Sequence, residues 1–182
     1  MSKTRKVLTI DEVIQKRRED INIKLGYQDL LFRLLFLIVA GYLLFTQVFL
    51  LTQVRGNDMF PAIKDGDLIL AFRLQQDYIK NDVIVYSVDG EPHIGRILAR
   101  ETDVVTLDES GTLLVNGTVQ TGEILFPTYS TEKLEYPYRV PEGHVFVLGD
   151  YRTQAIDSRE LGPISLDDVE AKVLTFLRRR GI

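Results

Sequence analysis

From Leu34 to Leu51 the chain reads Leu-Leu-Phe-Leu-Ile-Val-Ala-Gly-Tyr-Leu-Leu-Phe-Thr-Gln-Val-Phe-Leu-Leu, eighteen residues without a charge. At ~1.5 Å per residue a helix of that length extends about 27 Å, close to the roughly 30 Å of hydrocarbon in a bilayer. A buried helix of a soluble protein would usually show a polar face. A cleavable leader would be shorter, would start nearer Met1 and would precede an Ala-x-Ala-like site. The sequence therefore predicts one transmembrane helix over residues 34–54, between an N-terminal segment, 1–33, and a larger domain, 55–182.

Charge gives the direction. The segment before the span holds eight basic and five acidic residues, a net +3, which leaves −7 for the rest of a chain of net −4. Lys and Arg beside a span tend to stay cytoplasmic. The expected topology is single-pass in the cell membrane, with a cytoplasmic N-terminus and an extracellular C-terminal domain. Thr9-Ile10-Asp11-Glu12 has capping-box form, and Ile10, Val13, Ile14 and Ile21 recur at helical spacing, which predicts a short amphipathic helix before the span.

The acidic balance, with a pI near 5.3, argues against a nucleic-acid partner. With no cysteine and only His93 and His144 as imidazoles, the sequence offers no metal site, and it implies no cofactor. Beyond Asp67 the apolar residues come in short β-branched runs: Leu68 to Phe72, Val83 to Tyr86, Ile94 to Leu98, Val104 to Leu107, Leu113 to Val115, Val145 to Leu148 and Val173 to Leu177. Asp65-Gly66, Asp89-Gly90, Glu109-Ser110-Gly111, Asn116-Gly117 and Glu142-Gly143 mark turns between them. These features predict a mainly β, antiparallel fold. An irregular loop is expected over residues 122–141, and a helical turn only near Ser165 to Asp168.

Behind the span, Gly56-Asn57-Asp58-Met59-Phe60-Pro61 is followed by Gly66-Asp67. Further on come Asp82-Val83-Ile84-Val85-Tyr86, His93-Ile94-Gly95-Arg96-Ile97, and Gly149-Asp150-Tyr151-Arg152 with Asp157-Ser158-Arg159 and Gly162. Together, in this order, they resemble the motifs of the type I signal peptidases, whose corresponding patterns are Gly-x-Ser-Met-x-Pro, Asp-Ile-Val-Val-Phe, Tyr-Val-Lys-Arg-Val and Gly-Asp-Asn-Arg-x-x-Ser-x-Asp-Ser-Arg. The resemblance covers roughly residues 30 to 177 and implies a signal-peptidase-I-like antiparallel β fold.

The chain departs from that family where the chemistry sits. The nucleophilic serine falls on Asp58, the general-base lysine on Gly95, and the serine that orients the lysine on Ala155. In the family's mechanism an uncharged lysine amine takes the hydroxyl proton so that the oxygen can attack a peptide carbonyl. Here a carboxylate replaces the hydroxyl, and a bare backbone replaces the amine. The resemblance thus implies a pseudo-peptidase with no catalytic residues, degenerate at Asp58, Gly95 and Ala155.

His93, two positions before Gly95, points to the same face of a strand. A rival enzyme could use it with Asp58 as an atypical dyad, whereas the plainer expectation is a partly exposed strand histidine. Lys64 and Lys80 are not at positions where an amine should meet residue 58. A buried, unpaired Asp58 would be costly, so it should face solvent or find Arg96 or a backbone N–H. Asp157 and Arg159 match a structural ion pair of the family.

The candidate peptide- or partner-binding cleft is Gly56, Asn57, Asp58, Met59, Pro61, His93 and Gly95. A cleft of this kind binds an extended peptide through main-chain hydrogen bonds, which survives loss of the dyad. Catalytically degenerate members of the family accompany pilus genes in Gram-positive bacteria and assist sortase-driven pilin polymerisation. The resemblance therefore implies a membrane-anchored chaperone or assembly factor whose partners are pilin subunits, a pilus-specific sortase, or both. The alternative is an active type I signal peptidase. A pilus subunit is disfavoured because no Leu-Pro-x-Thr-Gly signal occurs. Arg178-Arg179-Arg180 reads as a solvated terminus, and Asn116-Gly117-Thr118 as a hairpin turn rather than a glycosylation site.

Overall fold

A computed structural model describes residues 10–120 and 126–178. Thr9 of the expected capping box, Arg179 and Arg180, and residues 122–125 of the expected loop lie outside the described residues. The chain divides into two compact units between Thr46 and Gln47.

The N-terminal unit is built on one continuous helix, α1, Ile10–Val48, where the sequence suggested a short helix followed by a separate span. Asp11 and Glu12 in its first turn complement the helix dipole. Arg33 pairs with Asp29 at 2.8 Å where the apolar run begins. By length and composition its Ile21–Val48 portion can cross a membrane.

The helix does not reach residue 54 as expected. It ends at Val48, and Phe49–Gln53 forms strand β1, paired antiparallel with β2, Leu68–Phe72, in the register Phe49↔Phe72 to Gln53↔Leu68. The Val48 carbonyl accepts the Arg73 N–H at 2.9 Å, so a helix-terminal acceptor is satisfied by the next element.

The second unit is all antiparallel. The remaining strands are β3 Val83–Val88, β4 Glu91–Arg100, β5 Val104–Leu107, β6 Leu113–Val115, β7 Thr118–Val119, β8 Tyr138–Arg139, β9 His144–Leu148, β10 Ile164–Ser165 and β11 Val169–Leu177. One sheet has seven strands in the order β1-β2-β11-β3-β4-β9-β10, and the other has four in the order β7-β6-β5-β8. Asp89-Gly90 and Asn116-Gly117, all at positive φ, close the β3–β4 and β6–β7 hairpins. The Asn116 carboxamide is engaged by Val104 N–H and Asp103, consistent with a turn role.

Alternation along β3 sets the two faces of the large sheet. Val85 packs with Val54, Met59, Ile63, Ile69, Ala71 and Ala171 on one side. Ile84 and Tyr86 pack with Tyr78, Ile97, Val145, Val147 and Ile164 on the other. A third cluster, including Leu98, Val105, Leu113, Val115 and Phe146, joins the sheets. A short helix that sequence reasoning missed, α2, Ser158–Leu161, follows β9. The helical turn near Ser165 is present as a 3₁₀ turn, Leu166–Asp168, capped by the Ser165 side chain.

Candidate functional site

Residues 54–67 leave and rejoin the sheet through a narrow neck, because Val54 N–H donates to the Asp67 carbonyl at 2.8 Å and Gly66 N–H to the Val54 carbonyl at 3.0 Å. Inside the neck the Asp65 carboxylate accepts Gly56 N–H at 2.9 Å, and the Asn57 carbonyl accepts Phe60 N–H at 2.9 Å. Gly56 takes φ +88°, which few other residues tolerate. Met59 and Ile63 drive this turn into the core, and Asp58 beside Met59 is left half-buried.

A second loop holds Asp58 from behind. The Asp58 carbonyl accepts Tyr151 N–H at 2.9 Å. A Cβ on Gly149 would overlap that of Ala155 and lie 2.6 Å from the Asp58 carbonyl oxygen, so a glycine is required for this approach. Gly149 N–H donates to Asp157 at 3.1 Å. The Asp157 carboxylate also takes two guanidinium bonds from Arg159, each 2.8 Å, and both residues are buried. Arg152, which sequence reasoning did not single out, is buried and donates to the Gly149 carbonyl at 2.8 Å and the Thr128 hydroxyl at 2.7 Å. Burial draws its pKa down to about 10. The Gly-Asp-x-Arg run was the available signal for it.

The facing wall is β4. His93 lies opposite Tyr86 and stacks on its ring with centroids 5.6 Å apart and planes at 22°. Gly95 lies opposite Ile84, on the same face as His93. A Cβ on Gly95 would overlap Val147 Cγ1 and stand 3.4 Å from Tyr86 Cε1 and from the Leu148 carbonyl oxygen. The volume into which a side chain at position 95 would start is therefore filled.

Arg96 is not the partner of Asp58. Its guanidinium clasps Asp150 with bonds of 2.9 and 2.8 Å and reaches the Asn81 carbonyl at 3.0 Å. Among the described residues no donor bonds the Asp58 carboxylate. Burial raises its pKa above the ordinary 3.8, with His93 opposing the rise and Asp157 adding to it. Burial, Asp157 and Asp58 likewise push the Tyr86 hydroxyl upward. The lysines are occupied: Lys64 Nζ lies 5.5 Å from the Phe60 ring centre, and Lys80 pairs with Asp103 at 3.1 Å.

Of the expected cleft residues, Gly56 and Asn57 are exposed, and Asp58, Pro61 and His93 are partly exposed. Met59 and Gly95 are buried, so they support the crevice and do not line it. One backbone edge beside them is open. Among the described residues β4 pairs with β9 only from Arg96 to Arg100, whereas Glu91 to Ile94 are paired with β3 alone. A shallow pocket of about 230 Å³ lies between Tyr129–Thr131 and Arg152–Ala155, lined also by Arg159 and Glu160.

An N-terminal helix able to cross a membrane, an antiparallel β domain, and a Gly-x-x-Met-x-Pro turn held by a Gly-Asp-x-Arg loop define a peptidase-like class of membrane-anchorable proteins. Residues 27–177 match the family described as signal peptidase, peptidase S26, and the chain belongs to that family. It is 28% identical over 136 residues to signal peptidase I of Bacillus caldolyticus, covering 66% of this chain and 74% of that one. It is 30% identical over 133 residues to the probable thylakoidal processing peptidase 2 of Arabidopsis thaliana, covering 64% of this chain and 35% of the relative. The chain spans about a third of the length of the two thylakoidal relatives it matches. A crystal structure of a signal peptidase I from Enterococcus faecalis V583 has 27% identity and a TM-score of 0.46, covering 55% of this chain and 98% of that one.

Proposed function

We propose that this family member no longer transfers acyl groups and works as a membrane-anchored chaperone or assembly factor for pilus polymerisation, holding pilin subunits, a pilus-specific sortase, or both. The observation that carries the reading is the pairing of Asp58 with Gly95. Acyl transfer by this scaffold needs a hydroxyl beside a neutral amine, and the two positions carry a carboxylate and a backbone whose side-chain space Val147 fills.

What the scaffold keeps supports a binding role. The edge of β4 at Pro92 and Ile94, which β9 does not reach, can add an extended chain through the two carbonyls and the Ile94 N–H. With the N-terminus cytoplasmic, the β domain stands outside the cell membrane, where exported subunits emerge. The pilus assignment rests on resemblance to degenerate members of the family. It is tested by deleting the gene and immunoblotting surface pili: loss of the high-molecular-weight ladder is expected, and an unchanged ladder removes the proposal.

A second reading, an active signal peptidase with an atypical dyad, is favoured by the influence of His93 on Asp58 and by the peptidase names of the relatives. Incubating the purified chain in detergent with a preprotein separates the two, since cleavage abolished by Asp58→Ala would establish the enzyme.

A further inference from the structure

We propose that Asp58, together with the rings of Phe60, Tyr151 and Phe126 on the turn and loop that hold it, forms the site for a lysine side chain of an extended peptide. The inference rests on the peptide-binding reading of the cleft and gives that peptide a chemical class.

Asp58 differs from the carboxylates around it. Asp150 is clasped by Arg96, Asp157 by Arg159 and Asp82 by Lys172, while Asp65 accepts Gly56 N–H and Asp67 accepts Lys64 N–H. Asp58 alone of this group has no hydrogen-bond donor among the described residues. A half-buried carboxylate in that condition is costly unless a partner arrives.

Three partly exposed rings meet on the turn and loop that hold Asp58. Tyr151, whose N–H holds the Asp58 carbonyl, lies between Phe60 at 5.7 Å and Phe126 at 4.8 Å, centroid to centroid. Ring faces attract cations within about 6 Å. The Lys64 ammonium already takes one face of the Phe60 ring, 5.5 Å from its centre, which leaves the Tyr151 and Phe126 rings for an incoming cation. A carboxylate beside aromatic faces suits a compact ammonium on a long apolar stem better than it suits an anionic or purely apolar side chain.

The surroundings agree in sign. Residues 55–182 carry a net −7, and Glu91 is exposed at the start of the open β4 edge along which a peptide backbone would run. A cationic segment is thus attracted at long range and neutralises Asp58 on arrival.

The test uses the full chain in detergent micelles and two acetylated, amidated threonine–valine peptides, one with a central lysine and one with norleucine in its place. Affinity is read by fluorescence anisotropy, and amide exchange at Ile94, whose N–H faces away from β3, reports whether the β4 edge is covered. The expected result is protection of the Ile94 amide by both peptides, with the lysine peptide bound about tenfold more tightly. That preference should vanish in Asp58→Asn. Equal affinities with β4 protected would overturn the lysine pocket and leave the cleft reading standing, as would a preference that persists in Asp58→Asn. Binding of neither peptide, with β4 unprotected, would remove both.

Discussion

The Cγ1 of Val147 lies only 2.4 Å from where the first side-chain carbon of residue 95 would stand. Restoring the family's chemistry on paper, as Asp58→Ser with Gly95→Lys and Ala155→Ser, therefore fails sterically before it fails chemically. Val147 is β-branched and fully buried, so it has little freedom to move aside. Gly95→Lys should lower stability by about 1–3 kcal/mol through overpacking, and adding Val147→Ala should return part of that loss. Thermal unfolding of the purified chain checks this, and a Gly95→Lys variant with an unchanged midpoint would contradict it. No preprotein cleavage is expected from the triple variant while Val147 is intact.

Asp157 is the hub of the loop behind Asp58, since it binds Arg159 through two oxygens, accepts Gly149 N–H and caps α2 through Arg159 N–H. Removing one member of a buried pair strands the other charge, at a cost of about 3–5 kcal/mol. Asp157→Ala should thus be severely destabilising, and Asp157→Asn combined with Arg159→Met markedly less so. Equal losses in the two variants, measured by denaturant unfolding, would mean that the stranded guanidinium is not the cause.

The strand runs were legible because Val, Ile and Leu alternate between two buried faces, and the hairpins because Asn-Gly and Asp-Gly accept positive φ. The end of α1 was not legible. Phe49-Leu50-Leu51 is as apolar as the helix before it, and hydropathy does not distinguish a lipid-facing residue from one paired with Phe72, Ala71 or Leu70 across a sheet. The two-residue strands β7, β8 and β10 are defined by their partners more than by their own sequences. Helix α2 did leave a trace, an Asp157 cap with Glu160 three residues on. At the site, motif order located Asp58 and Gly95. Only packing reveals that Gly95 and Met59 are buried, that Arg96 belongs to Asp150, and that three rings meet on the turn and loop that hold Asp58.

Topology can be read directly because the chain has no cysteine of its own. A single cysteine at exposed Glu142 should react with a membrane-impermeant maleimide in intact cells, and one at exposed Arg17 only after permeabilisation. This follows from the excess of Lys and Arg before the span. The reverse labelling pattern would invert the orientation and place the cleft in the cytoplasm.

Asp58 also sets a pH dependence with a definite sign. Burial raises its pKa above 3.8, so the folded chain holds the proton more tightly than the unfolded one. Stability from this group is then present below 3.8, falls as pH climbs through the folded value, and stays reduced at neutral pH. Asp58→Asn is neutral throughout, so it should unfold at a higher temperature than the parent near pH 7, with the gap closing on acidification below 3.8. Identical midpoints at neutral pH, or a gap that widens in acid, would contradict the argument. The same substitution should weaken capture of the lysine peptide, so stability and binding move in opposite directions. A residue kept at a cost to the fold, and needed only when a ligand is present, behaves as a binding group.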